Sequence, residues 1–488
     1  MAALRRSLAL SAAQSYLGVV LQLASTVVLS RVLTPAEVGV YAVATAFAAL
    51  ATNFRDFGIA EYLIQAKTLS ERNIRAAFAV NIGMSWAMAV LIFVGAVWAG
   101  GFYRSDVLVD VMRVQALNFL LIPFGAVNMA WFRREMNFKP QFVAGVLGDV
   151  LSLSVAIGLA LNGFGAMSLA WSSLASITTT VLVSQYYRPP NFPRLPSLAG
   201  VAEVLRFGSF ASGIYVLGQL GRSAPEMVIG RVQGVADVAI FSRASGLVQL
   251  FRQLVVRAVM PVCLPYFAQS VRDEQNVNRA YLRGMAIFTA IGWTFLGFLA
   301  LSAYPAIRIV YGDQWLASVP LAPLLCIAGA VEVVHYLAKE ALLAHGQVER
   351  ASRLQLLLQV VQLIGLAAVF PFGLTGACWG LLAAAVAGLF ISEAHMRQST
   401  GWRLSMLWQA CRQSLGVTAF ALAPAGLLAL LVPAGEHNYV RHLLAGGTAT
   451  VLCWLLGLRM LQHPLWPELQ RLFTPLMARL VQPQPPPA

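Results

Sequence analysis

Apolar runs of about 20 residues recur from one end of this 488-residue chain to the other, and few architectures accommodate them. A run of that length crosses the roughly 30 Å hydrocarbon core of a bilayer as a helix. Lipid offers no water to backbone N–H and C=O groups, so each run must close its hydrogen bonds within itself. About fourteen spans are predicted, at 10–32, 39–63, 75–99, 109–131, 141–161, 165–186, 205–227, 238–264, 283–304, 319–344, 353–371, 374–394, 412–432 and 440–461. A transmembrane β-barrel would need alternating strands of about 10 residues, and no such alternation is present. Only 11% of residues are charged, against about 25% in a soluble domain. The chain therefore reads as an all-α polytopic membrane protein.

The termini and loops follow from charge. Arg5 and Arg6 precede an apolar run that continues to about residue 33, longer than the 7–15 residues of a signal sequence. It reads as a retained first helix. Basic residues then alternate between the two sides. One side carries Arg5, Arg6, Lys67, Arg72, Arg133, Arg134, Arg188, Arg272, Arg350, Arg397 and Arg459, among others; the other carries only Arg31, Arg104, Arg231, Arg308 and Arg441. Positive loops stay in the cytoplasm, so both termini are expected there. The net charge of +14 belongs to these loops and does not call for nucleic acid. The external loops are short, leaving no room for an extracytoplasmic domain.

One short stretch occurs twice. Residues 30–41 read S-R-V-L-T-P-A-E-V-G-V-Y and residues 230–241 read G-R-V-Q-G-V-A-D-V-A-I-F. Arg31, Val32, Ala36 and Val38 recur as Arg231, Val232, Ala236 and Val238, and both copies lie between apolar runs. Gly165-Ala166 and Gly376-Ala377 form a second echo. Self-similarity at this spacing implies two copies of one membrane module. Six spans per copy means both enter from the same side, giving a parallel repeat. The expected organisation is an N-terminal six-helix lobe (1–190), a cytoplasmic proline-rich linker (191–204), a second six-helix lobe (205–398), two further transmembrane helices (399–465) and a cytoplasmic tail (466–488).

Ionisable groups inside spans are costly and mark candidate functional sites. At about 100° per residue, Ser242, Arg243, Gln249, Gln253 and Arg257 of span eight share an arc of roughly 120°, fit for the wall of a water-filled cavity; Arg252 lies nearly opposite. The plainer reading has Arg243 and Arg257 extending toward the two interfaces. Span ten places Glu332, His335, Tyr336 and Lys339 on one stripe. Arg222 and Glu226, one turn apart in span seven, are expected to pair. Span two holds Arg55, Asp56 and Glu61, with the neighbours Arg55 and Asp56 directed to different partners. Asp149 stands alone in span five, either relaying protons or fastening a helix contact. The second half is thus net cationic within its spans, which favours an anionic substrate. Candidate substrate-binding residues are Arg243, Arg257, Arg252, Arg222, Gln249, Gln253, Lys339, Tyr336 and Arg55. Candidate ion-coupling residues are Asp56, Asp149, Glu332 and Glu226.

Signatures of catalysis are missing: no Walker A sequence, no G-x-S-x-G elbow, no paired histidines at metal spacing. The five cysteines lie in or beside apolar segments and read as small apolar residues. No cofactor and no metal are expected.

Several of these stretches together resemble the Wzx-type flippases of lipid-linked oligosaccharides, within the superfamily that also holds the MATE drug exporters. They are Arg31 to Tyr41, Asp56-Phe-Gly-Ile-Ala-Glu-Tyr-Leu-Ile-Gln65, Arg133-Arg-Glu-Met-Asn-Phe138, Ile229-Gly-Arg231 with Phe241-Ser-Arg-Ala244, Arg257-Ala-Val-Met-Pro261 and Tyr311-Gly-Asp-Gln-Trp315. One departure is Ala239, where the family's second copy usually carries glycine as the first does at Gly39. The resemblance implies a fourteen-helix, two-lobed transporter of the bacterial cytoplasmic (inner) membrane, closest to the capsule and exopolysaccharide branch. It implies a cargo of undecaprenyl-diphosphate-linked oligosaccharide repeat units, moved to the outer leaflet by lobes rocking about a cationic cavity. The partners it implies are membrane lipid, a polysaccharide polymerase and glycosyltransferases; a monomer is expected. The alternatives are a MATE-like cation-coupled exporter resting on Asp56, Asp149 and Glu332, a membrane polysaccharide polymerase or ligase, and a non-transporting scaffold.

Overall fold

Long apolar stretches with few backbone breakers become helices, and helices dominate the computed structural model of the chain. It describes residues 2–471 other than 57, 66–69, 191, 194, 273–276 and 401–403. The tail at Pro483–Ala488 and the side chain of Glu61 lie outside the described residues.

In chain order the helices are α1 (Ala2–Val32), α2 (Pro35–Asp56), α3 (Ile59–Gln65), α4 (Glu71–Tyr103), α5 (Asp106–Leu121), α6 (Pro123–Arg134), α7 (Lys139–Leu161), α8 (Ala166–Tyr186), α9 (Val201–Val232) and α10 (Val235–Phe251). A π-helical turn, Arg252–Val256, leads into α11 (Arg257–Arg272). Then come α12 (Val277–Leu301), α13 (Ala303–Val310), a short 3-10 turn (Asp313–Ser318), α14 (Ala322–His335), α15 (Ala338–Ala344), α16 (Val348–Leu366), α17 (Val369–Thr400), α18 (Leu404–Leu431) and α19 (Tyr439–Met460). Each predicted span falls on a helix or a run of helices. Among the described residues, nine helices are long and apolar enough to cross a bilayer, ten if the bent pair α5–α6 is one span. The chain is a multi-pass, all-α membrane protein. A count of fourteen crossings is not confirmed by this measure. Helices such as α9 and α16 carry arginines and glutamates that lower their hydropathy, and the apolar part of α1, Tyr16–Val32, is short.

The two copies of the repeated stretch are helix junctions. In the first, Thr34 and Glu37 form a capping box at the start of α2: the Thr34 N–H donates to Glu37 Oε2 at 2.8 Å and the Glu37 N–H to Thr34 Oγ1 at 3.4 Å. Two of the helix's orphan N–H groups are thereby satisfied. In the second, Gly234 takes the place of Thr34 with φ +107°, a turn that favours glycine.

The chain divides into two compact units, residues 1–242 with 310–315, and residues 243–309 with 316–488. In the first, α7 packs on α8 and α1, α5 on α8, and α2 on both α5 and α9. One end holds a buried cluster of Tyr62 and Leu63 from α3, Ile74 and Val80 from α4, Val127 from α6, and Phe192. The proline-rich linker is pinned there. Arg75 Nε donates to the Leu195 carbonyl at 3.2 Å, the Ser197 N–H donates to the Arg75 carbonyl at 3.1 Å, and Arg188 donates to the Pro193 carbonyl. In the second unit α12 packs on α14 and α18, α17 on α14 and α16, and α18 on α19. Small residues let backbones approach where lipid supplies no hydrophobic drive: a Cβ at Gly365 of α16 would stand 2.3 Å from the Gly380 carbonyl oxygen of α17.

Candidate functional site

The second unit holds an ion pair within its spans. Arg252 opens the π turn of span eight and donates to Glu332 Oε2 of α14 at 2.8 Å, with both side chains half-buried. The packing that sets this pair lies one turn earlier on each helix, where a Cβ at Gly329 would stand 3.0 Å from Val248 Cγ1. On its other side α14 is fixed to α12, whose Trp293 indole donates to the Ala330 carbonyl at 2.8 Å. His335 and Tyr336 lie within electrostatic reach of the pair. π turns are rare and concentrate at functional positions. A charge pair taken out of water is costly to half-break.

Two expectations for this region are corrected. The common arc from Arg243 to Arg257 assumes an unbroken α-helix, but the π turn at Arg252–Val256 intervenes. One extra residue in the turn rotates the helix beyond it by about 100°, so Arg257 does not continue the face of Arg243 and Gln249. Arg257 and Gln249 are exposed, while Gln253 and Arg243 are partly buried. The stripe on span ten is also broken. Between α14 and α15 the backbone turns at Tyr336 and Leu337. Glu332 goes to Arg252, His335 faces Gly388 of α17 with Nε2 3.5 Å from where a Cβ would stand, and Lys339 is exposed.

In the first unit, Arg55 and Asp56 pair with each other, contrary to the expectation of separate partners. Asp56 is the last residue of α2, so the 100° separation of helix neighbours no longer binds it, and the long guanidinium reaches it. Arg222 does not pair with Glu226. Its Nε and NH2 donate to Gln219 Oε1 at 3.1 and 2.9 Å. Helical side chains lean toward the N-terminus, which carries Arg222 back to Gln219. The Glu226 Oε2 atom is buried with no hydrogen-bond partner among the described residues. Asp149 of α7 turns to α1, with Oδ2 3.4 Å from where a Cβ on Gly18 would stand. Among the described residues, no group of three or more His, Cys, Asp and Glu side chains could hold a metal.

Other polar residues are placed together that no charge pattern singles out. Gln115 and Asn118 of α5 are 3% and 7% exposed. Gln115 Nε2 donates to Thr45 Oγ1 of α2 at 3.2 Å, and Asn118 Nδ2 donates to Ser173 Oγ of α8 at 3.1 Å. Buried amides one turn apart are a signal that a search for ionisable residues passes over. The Tyr311–Trp315 stretch also acquires a role. Trp315 Nε1 donates to the Ser30 carbonyl at 2.7 Å, and Gln314 Nε2 donates to the carbonyls of Ser30 and Leu33, the latter at 3.0 Å. These side chains serve carbonyls at the C-terminal end of α1, which a helix leaves unpaired. In the second copy of the repeat, the Arg231 guanidinium lies over the Phe102 ring at 4.8 Å.

Known proteins are similar to this chain in sequence or in fold. Residues 28–320 match the family described as "Polysaccharide biosynthesis protein". The succinoglycan biosynthesis transport protein ExoT of Rhizobium meliloti (strain 1021) is 27% identical over 308 residues, a match spanning 62% of this chain and 62% of ExoT. The solved structure of the lipid II flippase MurJ in an inward closed conformation superposes with a TM-score of 0.74 at 11% identity, covering 92% of this chain and 99% of that one. An inward-facing MATE family multidrug-resistance transporter of the MOP superfamily superposes with a TM-score of 0.60 at 18% identity, covering 79% and 96%. At these identities the two structures speak for the fold alone. The family match covers more than half of the sequence, and the chain belongs to the polysaccharide biosynthesis protein family.

Proposed function

We propose that this protein is a flippase. It moves undecaprenyl-diphosphate-linked oligosaccharide repeat units from the inner to the outer leaflet of the bacterial inner membrane for polysaccharide export, and catalyses no covalent step. Membership of the polysaccharide biosynthesis family supports the reading, as does the similarity to ExoT, a succinoglycan biosynthesis transport protein. The observation that carries it is the cationic character of the second unit inside the membrane. Arg252 is held there by one carboxylate, while Arg257 and Lys339 are exposed. A diphosphate headgroup carried through hydrocarbon needs such groups, and guanidinium recognises phosphate by paired, charge-assisted hydrogen bonds. Transport proceeds by alternating access of two six-helix lobes, 1–190 and 205–398, in a fourteen-helix chain with both termini in the cytoplasm. The chain acts as a monomer beside glycosyltransferases and a polymerase.

The test is reconstitution of the purified chain in liposomes holding a fluorescent undecaprenyl-diphosphate oligosaccharide. Transfer of the label to the opposite leaflet, read with a membrane-impermeant quencher, is expected to exceed that of protein-free vesicles. In cells, deletion is expected to accumulate the lipid-linked intermediate. Unchanged leaflet distribution in vesicles, together with normal polymer export in the deletion strain, would overturn the proposal. A drug-resistance phenotype in a strain lacking its own efflux pumps would favour a small-molecule exporter instead.

A further inference from the structure

We infer that the first unit holds a site for a dehydrated monovalent alkali cation, built on the side-chain amide oxygens of Gln115 and Asn118. Neither oxygen, Gln115 Oε1 nor Asn118 Oδ1, has a hydrogen-bond partner among the described residues, and both are buried. Buried acceptors of this kind are rare and call for an explanation.

The orientation of both amides is set by where hydroxyl protons go. Thr45 Oγ1 gives its proton to the Tyr41 carbonyl at 2.8 Å. It can then only accept from Gln115, so the Gln115 amide presents N–H to Thr45 and leaves its oxygen over. Ser173 Oγ gives its proton to the Ala170 carbonyl at 2.8 Å. It likewise must accept from Asn118, and Asn118 Oδ1 is the atom left. A flip of either amide would set N–H against no acceptor and oxygen against a spent hydroxyl. Residues 115 and 118 lie one turn apart on one face of α5, between the hydroxyls of α2 and α8. The Tyr41 side chain lies within reach of Thr45 and Ser173.

The Tyr41 hydroxyl is a further donor in the cluster, directed at Thr45 and Ser173; the Gln115 and Asn118 amide oxygens remain as acceptors with no hydrogen-bond partner among the described residues. A single water has two protons to give and needs partners for its own lone pairs. An alkali cation satisfies several neutral oxygens at once. Carbonyl and hydroxyl oxygens without a carboxylate suit a monovalent ion, since calcium and magnesium sites draw on carboxylates. The site lies about 18 Å along α5 from Asp106, by the helical rise. It sits one turn before the 51° bend between α5 and α6, where Pro123 has no N–H for the Phe119 carbonyl. Interrupted membrane helices are where backbone oxygens meet cations. Thr45 is exposed. The Arg113 charge is turned elsewhere: it is about 200° round the helix from Gln115, and its guanidinium stacks on Phe93 of α4 at 5.3 Å.

The test is equilibrium binding of radioactive sodium and rubidium to the purified full-length chain in detergent, with choline as the inert competitor. It needs no transport substrate, so its outcome is separate from that of the flippase proposal. Saturable binding of one ion or the other, near one per chain, is expected. Gln115→Leu and Asn118→Leu are expected to abolish it. Asn118→Asp keeps the oxygen and adds charge; it is expected to tighten binding about tenfold or more and to let calcium compete. Absence of saturable binding in the wild-type chain would mean that the cluster holds water only and would overturn the site. Binding undiminished in the leucine variants would do the same. Should those variants fail to accumulate, the wild-type and Asn118→Asp measurements decide.

Discussion

Gly39 of α2 lies directly against the Val235 carbonyl at the start of α10: a Cβ built on Gly39 falls 1.7 Å from that oxygen and 2.5 Å from its carbon. The two residues belong to the two copies of the repeated stretch, so the copies meet backbone to backbone. A backbone carbonyl cannot swing aside as a side chain can. Gly39→Ala must push the helix starts apart, at a cost of about 1–3 kcal/mol or more. Gly83 of α4 supplies the control, because nothing lies within 4 Å of its Cβ position. Gly83→Ala is expected to leave the melting temperature in detergent unchanged or slightly raised, and Gly39→Ala to lower it by several degrees. Equal melting temperatures would refute the close approach.

The cap on α1 makes a second prediction. Ser30 and Trp315 are distant in sequence, yet the indole N–H and the Gln314 amide both serve the end of α1. Trp315 is wholly buried. Trp315→Phe keeps most of the volume and removes one donor; Gln314→Leu removes the other. Each is expected to destabilise the chain by about 1–3 kcal/mol. Amide hydrogen exchange is expected to speed up around residues 27–33 in both variants and to remain unchanged in α19.

Much of the architecture is legible in the sequence because lipid imposes a simple rule. Apolar length alone marks a helix, so the predicted spans fall on helices, and the repeat at 30–41 and 230–241 marks two equivalent helix junctions. Side-chain partners are less legible. Arg222 and Glu226 have the spacing of an ion pair, but the lean of helical side chains sends Arg222 to Gln219. Helical periodicity sets Arg252 off the main polar arc, and it is the packing of Val248 on Gly329, which no periodicity announces, that brings it to Glu332. Gln115, Asn118, Thr45 and Ser173 are uncharged and scattered over three helices. Only the fold brings them together.

A pH dependence arises from His463, just beyond α19. Its Nδ1 accepts from the Leu465 N–H at 3.2 Å, so the proton sits on Nε2, which donates to Ser414 Oγ of α18 at 3.1 Å. Burial pushes the imidazole down from its ordinary value of 6.5 to about 4. Below 6.5 the unfolded chain therefore binds a proton that the folded chain refuses. The associated stability is complete above about pH 7 and is lost as the pH falls through 6 and 5 toward 4, roughly 3 kcal/mol over the whole window. His463→Gln cannot titrate. The melting temperature of the wild-type chain relative to this variant is expected to fall between pH 7 and pH 5. A constant difference would show that His463 does not carry the effect.

The Arg252–Glu332 pair can be both structural and functional, and double substitution separates the two roles. Removing one partner leaves a lone charge in a half-buried site, so Arg252→Leu and Glu332→Leu are each expected to destabilise by about 3–5 kcal/mol, and the double variant by far less. A thermodynamic cycle on melting in detergent reads this coupling. Export should behave differently. If the guanidinium meets the diphosphate, export in a complementation assay fails in Arg252→Leu and also in the double variant, although the latter accumulates normally. Arg252→Lys retains the charge without the planar fork, and export is expected to be only partly restored. A double variant that is stable and exports polymer at the wild-type level would assign the pair to packing alone and move the search for phosphate contacts to Arg257 and Lys339.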